Sequence, residues 1–135
     1  MTQLLMLAFV TSLATSKDSM VDKINTERMF YGREALTENP KLDASATNKA
    51  CDLRDKGYWA HTSPDGIEPW KFFYDAGYTY AYAGENLVKN LDDDTAMTRL
   101  MNSQTHKENI LSPKFKEVGI GRCGQFIVQH FGRRI

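Results

Sequence analysis

The end of the chain sets the first constraint. Residues 117–132, EVGIGRCGQFIVQHFG, contain two apolar stretches, EVGIG and QFIVQHFG, joined by Arg122-Cys123-Gly124. This pattern reads as two strands of a hairpin with a short link. Upstream, helical patterns dominate, interrupted by one Tyr-rich strand. The element order predicts an α+β fold, with helices on either side of a small, mainly antiparallel sheet.

The helices are read from periodicity and end signals. Ser19 followed by Asp22 resembles a capping box, and a helix from there to about Tyr31 would turn Met20, Val21, Ile24 and Tyr31 inward. LTENPKLD breaks regular structure around Pro40. A second helix is expected from about Asp43 to Lys56, with Leu42, Ala46, Ala50 and Leu53 on its buried face and Gly57 as its cap. Ser-Pro-Asp-Gly at 63–66 is a turn signal. EPWKFFYDAG reads as a short third helix with Trp70, Phe73 and Tyr74 buried. YTYAYAGENL reads as a strand that breaks at Gly84. Asp92 to Asp94 favour the start of a helix carrying Ala96, Met97, Leu100 and Met101. THKENILSP closes that helix, so His106 is expected just past its end.

The chain has 135 residues, enough for one domain with a real core. Its 17 basic and 17 acidic side chains cancel, which argues against a nucleic-acid partner. The apolar run LLMLAFVTSLATS is shorter than the roughly 20 residues of a membrane-spanning helix. It fits the core of a signal peptide, with Ala14-Thr15-Ser16 as a small-residue cleavage site. No Lys or Arg precedes it, so a helix packed on the domain or a piece of an N-terminal anchor is the alternative. The expected organisation is a leader or anchor over 1–18 and one domain over 19–135. Cys51 falls on a predicted helix and Cys123 at a hairpin tip. Export would permit a disulfide, but most arbitrary cysteine pairs fail the geometric test, and two unpaired thiols are the expectation.

His61 precedes a turn, Glu85 follows a glycine at a strand end, and His106 sits at a helix end, positions where functional groups concentrate. His130, on the last strand, is expected at a surface or edge. Trp59, Trp70 and the Tyr-rich strand are expected to be mostly core. Ser63 lacks a nucleophile-elbow pattern, and neither cysteine has the local signature of a thiol enzyme.

Five segments then come in a telling order: INTERMFYGREAL, PKLDASATNKACDL, GYWAHTSPDGIEPWKFFYDAGYTYAYAGENL, MNSQTHKENILSPKFKEVGIG and FIVQHFG. In this order and at these spacings the chain resembles the CAP (SCP/PR-1-like, cysteine-rich secretory protein) superfamily, in its bacterial secreted branch, over roughly residues 19–132. The resemblance implies a three-layer α/β/α sandwich and a central cleft on which His61, Glu85 and His106 converge. Many eukaryotic relatives place a second Glu there, in a W-x-x-E pattern. Here Leu100 replaces the Trp and Ser103 stands at the Glu position, leaving three of the four groups.

Two imidazoles and a carboxylate suit zinc or another divalent cation, with His61, His106 and Glu85 as its ligands. Without metal, the same cluster could bind a proton or an anion. The bland alternative makes His61 a brace for the SPDG turn and Asn86 a tie between loops. No catalytic residue is assigned, though His61, Glu85 and His106 are the candidates. The expectation is an exported, monomeric binding module facing the cell envelope. Its cleft, with His61, Glu85, His106 and Ser103, would hold an ion, a small molecule, a lipid or an envelope component. The alternative is a metal-assisted or acid/base hydrolase at the envelope, which would need an activated nucleophile that the motifs do not supply.

Overall fold

The computed structural model describes residues 18–135, so the leader expected over 1–18 lies, up to residue 17, outside the described residues. Helix α1 (Met20–Phe30) begins at the expected capping box: Ser19 Oγ accepts from the Asp22 N–H, and Asp22 accepts from the Ser19 N–H. Strand β1 is the two-residue Thr37–Glu38. Helix α2 spans Pro40–Lys56, three residues earlier than expected. Pro40 starts it rather than breaking it, because a first-turn proline has no intrahelical N–H bond to lose. Asn39 Oδ1 caps the turn by accepting from the N–H groups of Lys41 and Leu42. Gly57 ends α2 in the left-handed region at φ 67°.

Helix α3 (Trp70–Asp75) is followed by β2 (Tyr80–Lys89), α4 (Asp93–Met101), α5 (Gln104–Leu111), β3 (Glu117–Cys123) and β4 (Phe126–Arg134). The sheet order is β1-β3-β4-β2. β1 runs parallel to β3, and the other two pairings are antiparallel. The expected terminal hairpin is β3–β4.

The sheet is covered on both faces. Over one lie α2 and α3, with Leu42, Ala46, Ala50, Leu53 and Phe73 fully buried. Over the other lie α1, α4 and α5, packed through Ile24, Ala96, Leu100 and Ile110. The buried Arg28 pins α1 to this layer by donating to the carbonyls of Glu34, Ile110 and Ser112. The chain is thus an α/β/α sandwich. The approach of α2 to the sheet is set by two glycines. A Cβ on Gly119 would fall 2.0 Å from the Leu42 carbonyl carbon, and one on Gly121 would fall 2.1 Å from that of Ala46.

Several local expectations are corrected. Tyr31 and Tyr74 are exposed, and of the three aromatics expected to bury α3 only Phe73 does so. The strand does not break at Gly84. It continues to Lys89, and the glycine is there because a Cβ would meet the Phe115 ring at 2.7 Å. THKENIL is not the close of α4 but the separate helix α5, nucleated where the Lys107 N–H bonds the Ser103 carbonyl. Cys51 and Cys123 form a disulfide, with their Cα atoms 5.0 Å apart, against the expectation of free thiols. The close seating of α2 on β3 brings a mid-helix residue within bonding reach of the strand's end.

Candidate functional site

The site is built on a cross-strand pair. Glu85 on β2 lies opposite His130 on β4, both directed toward α2. Glu85 Oε2 is 2.7 Å from His130 Nε2, and His130 Nδ1 is 2.7 Å from Ser45 Oγ on α2. Glu85 Oε1 is 2.7 Å from His61 Nδ1. A single buried carboxylate therefore bridges two imidazoles.

Charge and burial assign the protons. Burial raises the proton affinity of Glu85, but the hydrogen bonds from His130 and His61 outweigh it and hold the carboxyl below its ordinary range. Burial pushes His130 down, against the opposing pull of Glu85. Burial thus favours the neutral imidazole at His130, with Nε2 against the Glu85 carboxylate and Nδ1 against Ser45 Oγ, whose hydroxyl also reaches the Leu42 carbonyl at 3.0 Å. Phe73 stacks on the ring at 4.3 Å between centroids and fixes its plane. His61 donates from Nδ1 to Glu85, and its side chain is 56% exposed. Its ring lines a cleft.

Lys49, fully buried on α2, donates to the His61 carbonyl and to Tyr58 Oη. Burial lowers its pKa, and the nearby Glu85 partly offsets this. The backbone of His61 is thereby tied to α2, and its side chain to β2. The turn after it is braced by Ser63, whose hydroxyl donates to Asp65 and accepts from the Ile67 N–H. The brace role considered for His61 belongs to Ser63.

The next cross-strand pair, Asn86 with Gln129, faces the opposite layer. Asn86 Nδ2 donates to Gln129 Oε1 and to the His106 carbonyl, and Asn109 Nδ2 donates to Asn86 Oδ1 and to the Glu85 carbonyl. His106 sits in the first turn of α5, with Nδ1 2.7 Å from Ser103 Oγ. Burial, then the charge of His61, lowers its pKa. Ser103 is thus an orienting partner for His106 at the helix start.

Of these groups, His61, Glu85 and Asn109 border a cleft of about 370 Å³ over the free edge of β2. His61, Glu68 and Trp70 line it from one side, Asn109 comes from the other layer, and Gly84 and Glu85 lie between. His61 and Glu85 meet directly, and His106 joins them only through Asn86 and the electrostatic effect of His61. Sequence reasoning missed His130, Ser45 and Lys49. The expectation of a surface position for His130 is corrected: β4 is an inner strand of a sheet covered on both faces, and the ring is fully buried. The only signal available was that β4 pairs with the strand carrying Glu85.

As folded, the expected ligands are engaged through the two Glu85 oxygens and the Nδ1 atoms of His61 and His106. Both oxygens of Glu85 face imidazole nitrogens, and His106 Nδ1 faces Ser103. Among the described residues, no group of three or more His, Cys, Asp or Glu side chains could hold a metal ion.

The fold, the Glu85-centred cleft and the order of the motifs define a CAP-type domain. Residues 21–131 match the sequence pattern of the Cysteine-rich secretory protein family, and the chain belongs to that family. It is 33% identical over 124 residues to the uncharacterized protein YkwD of Bacillus subtilis, covering 90% of this chain and 48% of that protein. The uncharacterized membrane protein YlbC of the same organism is 23% identical over 121 residues, covering 89% of this chain and 35% of that one. The chain thus spans about half or less of the length of these curated relatives. Among solved structures, an extracellular SCP-domain protein of Bacillus anthracis superposes with a TM-score of 0.82 at 25% identity, covering 85% of this chain and 39% of that one. An outer surface protein of Borrelia burgdorferi superposes with a TM-score of 0.80 at 20% identity, covering 86% of this chain and 90% of that one. No helix among the described residues is long and apolar enough to cross a membrane.

The buried imidazole makes a prediction about acid. A His whose folded pKa is depressed stabilises the fold fully above its unfolded value, near 6.5. That stability is lost as pH falls below 6.5, because the unfolded chain then binds the proton that the native state refuses. His106 acts in the same direction, and Glu85, also depressed, adds its loss below about 4.5. The melting temperature should therefore fall between pH 7 and pH 5. In His130→Gln it should start lower at pH 7 and fall less steeply. An unchanged slope in the variant would show that His130 is not the group held neutral.

Proposed function

We propose that the protein is an exported binding module whose cleft receives a small ligand through the His61 edge and the Trp70 face. The observation that carries this reading is the division of labour around Glu85. The carboxylate is spent on orienting two imidazoles, and what remains open is one imidazole edge, the side-chain carbonyl oxygen of Asn109 and a partly exposed indole. These groups bind and orient, as a ligand site needs. The two cysteines are joined to each other and supply no thiol nucleophile. Extracellular and outer-surface relatives of the same fold support placement outside the cytoplasm, as does a disulfide in the domain.

A second reading, an acid/base hydrolase at the envelope, draws on one feature. A buried carboxylate holding the Nδ1–H of an exposed histidine leaves Nε2 as a base of fixed orientation. Both readings are tested by ligand-observed NMR with acetate, N-acetylglucosamine, a blocked tripeptide and lysophospholipid micelles, alongside hydrolysis of p-nitrophenyl acetate. The binding module predicts saturable contact with at least one probe, weakened about tenfold or more in His61→Ala and Trp70→Ala. Ester turnover above the His61→Ala rate would move the conclusion to the hydrolase. Equal binding by wild type and both variants would remove the cleft as the site.

A further inference from the structure

A second groove, of about 620 Å³, lies where the end of α2 meets the β3–β4 turn. Arg54, Tyr58, Trp59, Lys89, Gln125 and Phe126 line it. In a chain whose charges balance, this lining holds two cations and three aromatic rings, and none of the described residues that line it is acidic. Trp59 is 44% exposed, with its ring stacked on the buried Phe126 at 6.0 Å between centroids. Lys89 Nζ sits 4.8 Å over the same indole, so a cation and a flat apolar surface meet at one spot. Asp55, which does not line the groove, takes Arg54 Nε at 2.8 Å and leaves the two terminal guanidinium nitrogens for another partner.

The walls are preset. The Cys51–Cys123 disulfide ties α2 to the end of β3, and Gly57 turns the chain in the left-handed region just before Tyr58 and Trp59. A site whose walls are cross-linked loses little freedom when it binds, so more of the contact energy appears as affinity.

We propose that this groove binds an acidic sugar, with its ring against the exposed part of Trp59, its carboxylate at Lys89 and Arg54, and a hydroxyl at Gln125. Arg and Lys select the anion. The indole selects a ring with an apolar face. A flat aromatic acid would leave the Gln125 amide unanswered, whereas a sugar acid carries hydroxyls for it. The proposal is independent of the ligand assigned to the His61 cleft, about which it makes no claim.

The test is a two-dimensional NMR and calorimetric titration of the full chain with galacturonate, trigalacturonate and neutral galactose. The acids should shift the Trp59 indole N–H signal and bind at least tenfold tighter than galactose. Lys89→Gln should weaken the acids about tenfold, the factor carried by one charge-assisted hydrogen bond, and Trp59→Leu should abolish saturation. Both variants should melt within a few degrees of wild type, since Trp59 is exposed and Lys89 only half-buried. A trimer that binds tighter than the monomer identifies a glycan chain as the source of the acid, and equal binding identifies a single sugar acid. Equal affinity for acid and galactose, wild-type affinity in both variants, or shifts confined to His61 and Trp70 would overturn the proposal.

Discussion

Gly121→Ala is expected to lower the unfolding free energy by more than about 4 kcal/mol, or to prevent folding altogether. The added Cβ would lie 2.1 Å from both the Ala46 carbonyl carbon and the Thr47 nitrogen. Ordinary carbon contacts are no closer than roughly 3.5 Å. The obstructing atoms are helix backbone, which cannot swing aside as a side-chain tip can. Relief would require α2 to lift off the sheet, opening the contacts of Ala46, Ala50 and Leu53 and drawing Ser45 away from His130. Gly66→Ala is the control. It sits at φ 83° with open space around it, so its cost is conformational alone, about 1 kcal/mol. Urea unfolding of both variants provides the measurement. A Gly121→Ala midpoint close to that of Gly66→Ala would mean that α2 does not ride on β3 as described.

Reducing the disulfide, or replacing both cysteines with serine, is expected to cost about 4 kcal/mol. The bond closes a loop of 72 residues, from mid-α2 to the end of β3. Cross-linking residues so far apart removes much of the unfolded chain's freedom, and the logarithmic dependence on loop length gives that magnitude. Urea titrations with and without reductant should separate accordingly, and the double-serine variant should match the reduced protein. Coincident curves would show that the thiols are unpaired in solution. The acidic-sugar groove should weaken on reduction as well, because the same bond ties its two walls.

Much of the architecture was legible in the residues. Ser19 with Asp22 announced the start of α1, the apolar positions of 42–53 announced the buried face of α2, and EVGIG with QFIVQHFG announced the hairpin. Each is a local signal whose physics acts within a few residues. The candidate site was half legible. His61 stood before a turn and Glu85 at an expected strand end that the structure turns into mid-strand, and the two are in contact. His130 was hidden because alternation along a strand marks an inward face only when the other face meets water. β4 has helices on both sides, so period two carries no information there. Ser45 and Lys49 were hidden for a related reason. A buried serine or lysine in a helix looks like a solvated one until its partner, 85 residues away for Ser45 and 12 for Lys49, is known. The disulfide depended on the height of α2 above the sheet, a quantity carried by glycines elsewhere in the sequence.

The brevity of β1 has one further consequence. After pairing with only two residues, β3 is left with a rim of backbone that an extended segment from another molecule could extend as a continuing sheet. Asp43, in the first turn of α2, places its carboxylate 2.9 Å from the Ile120 N–H, just past the last β1 partner. The donor that an invading strand would need first is already occupied, and by a charged group. A side chain that contributes little to the core thus fills the first donor of one rim, in a protein whose other rim is the mouth of its cleft.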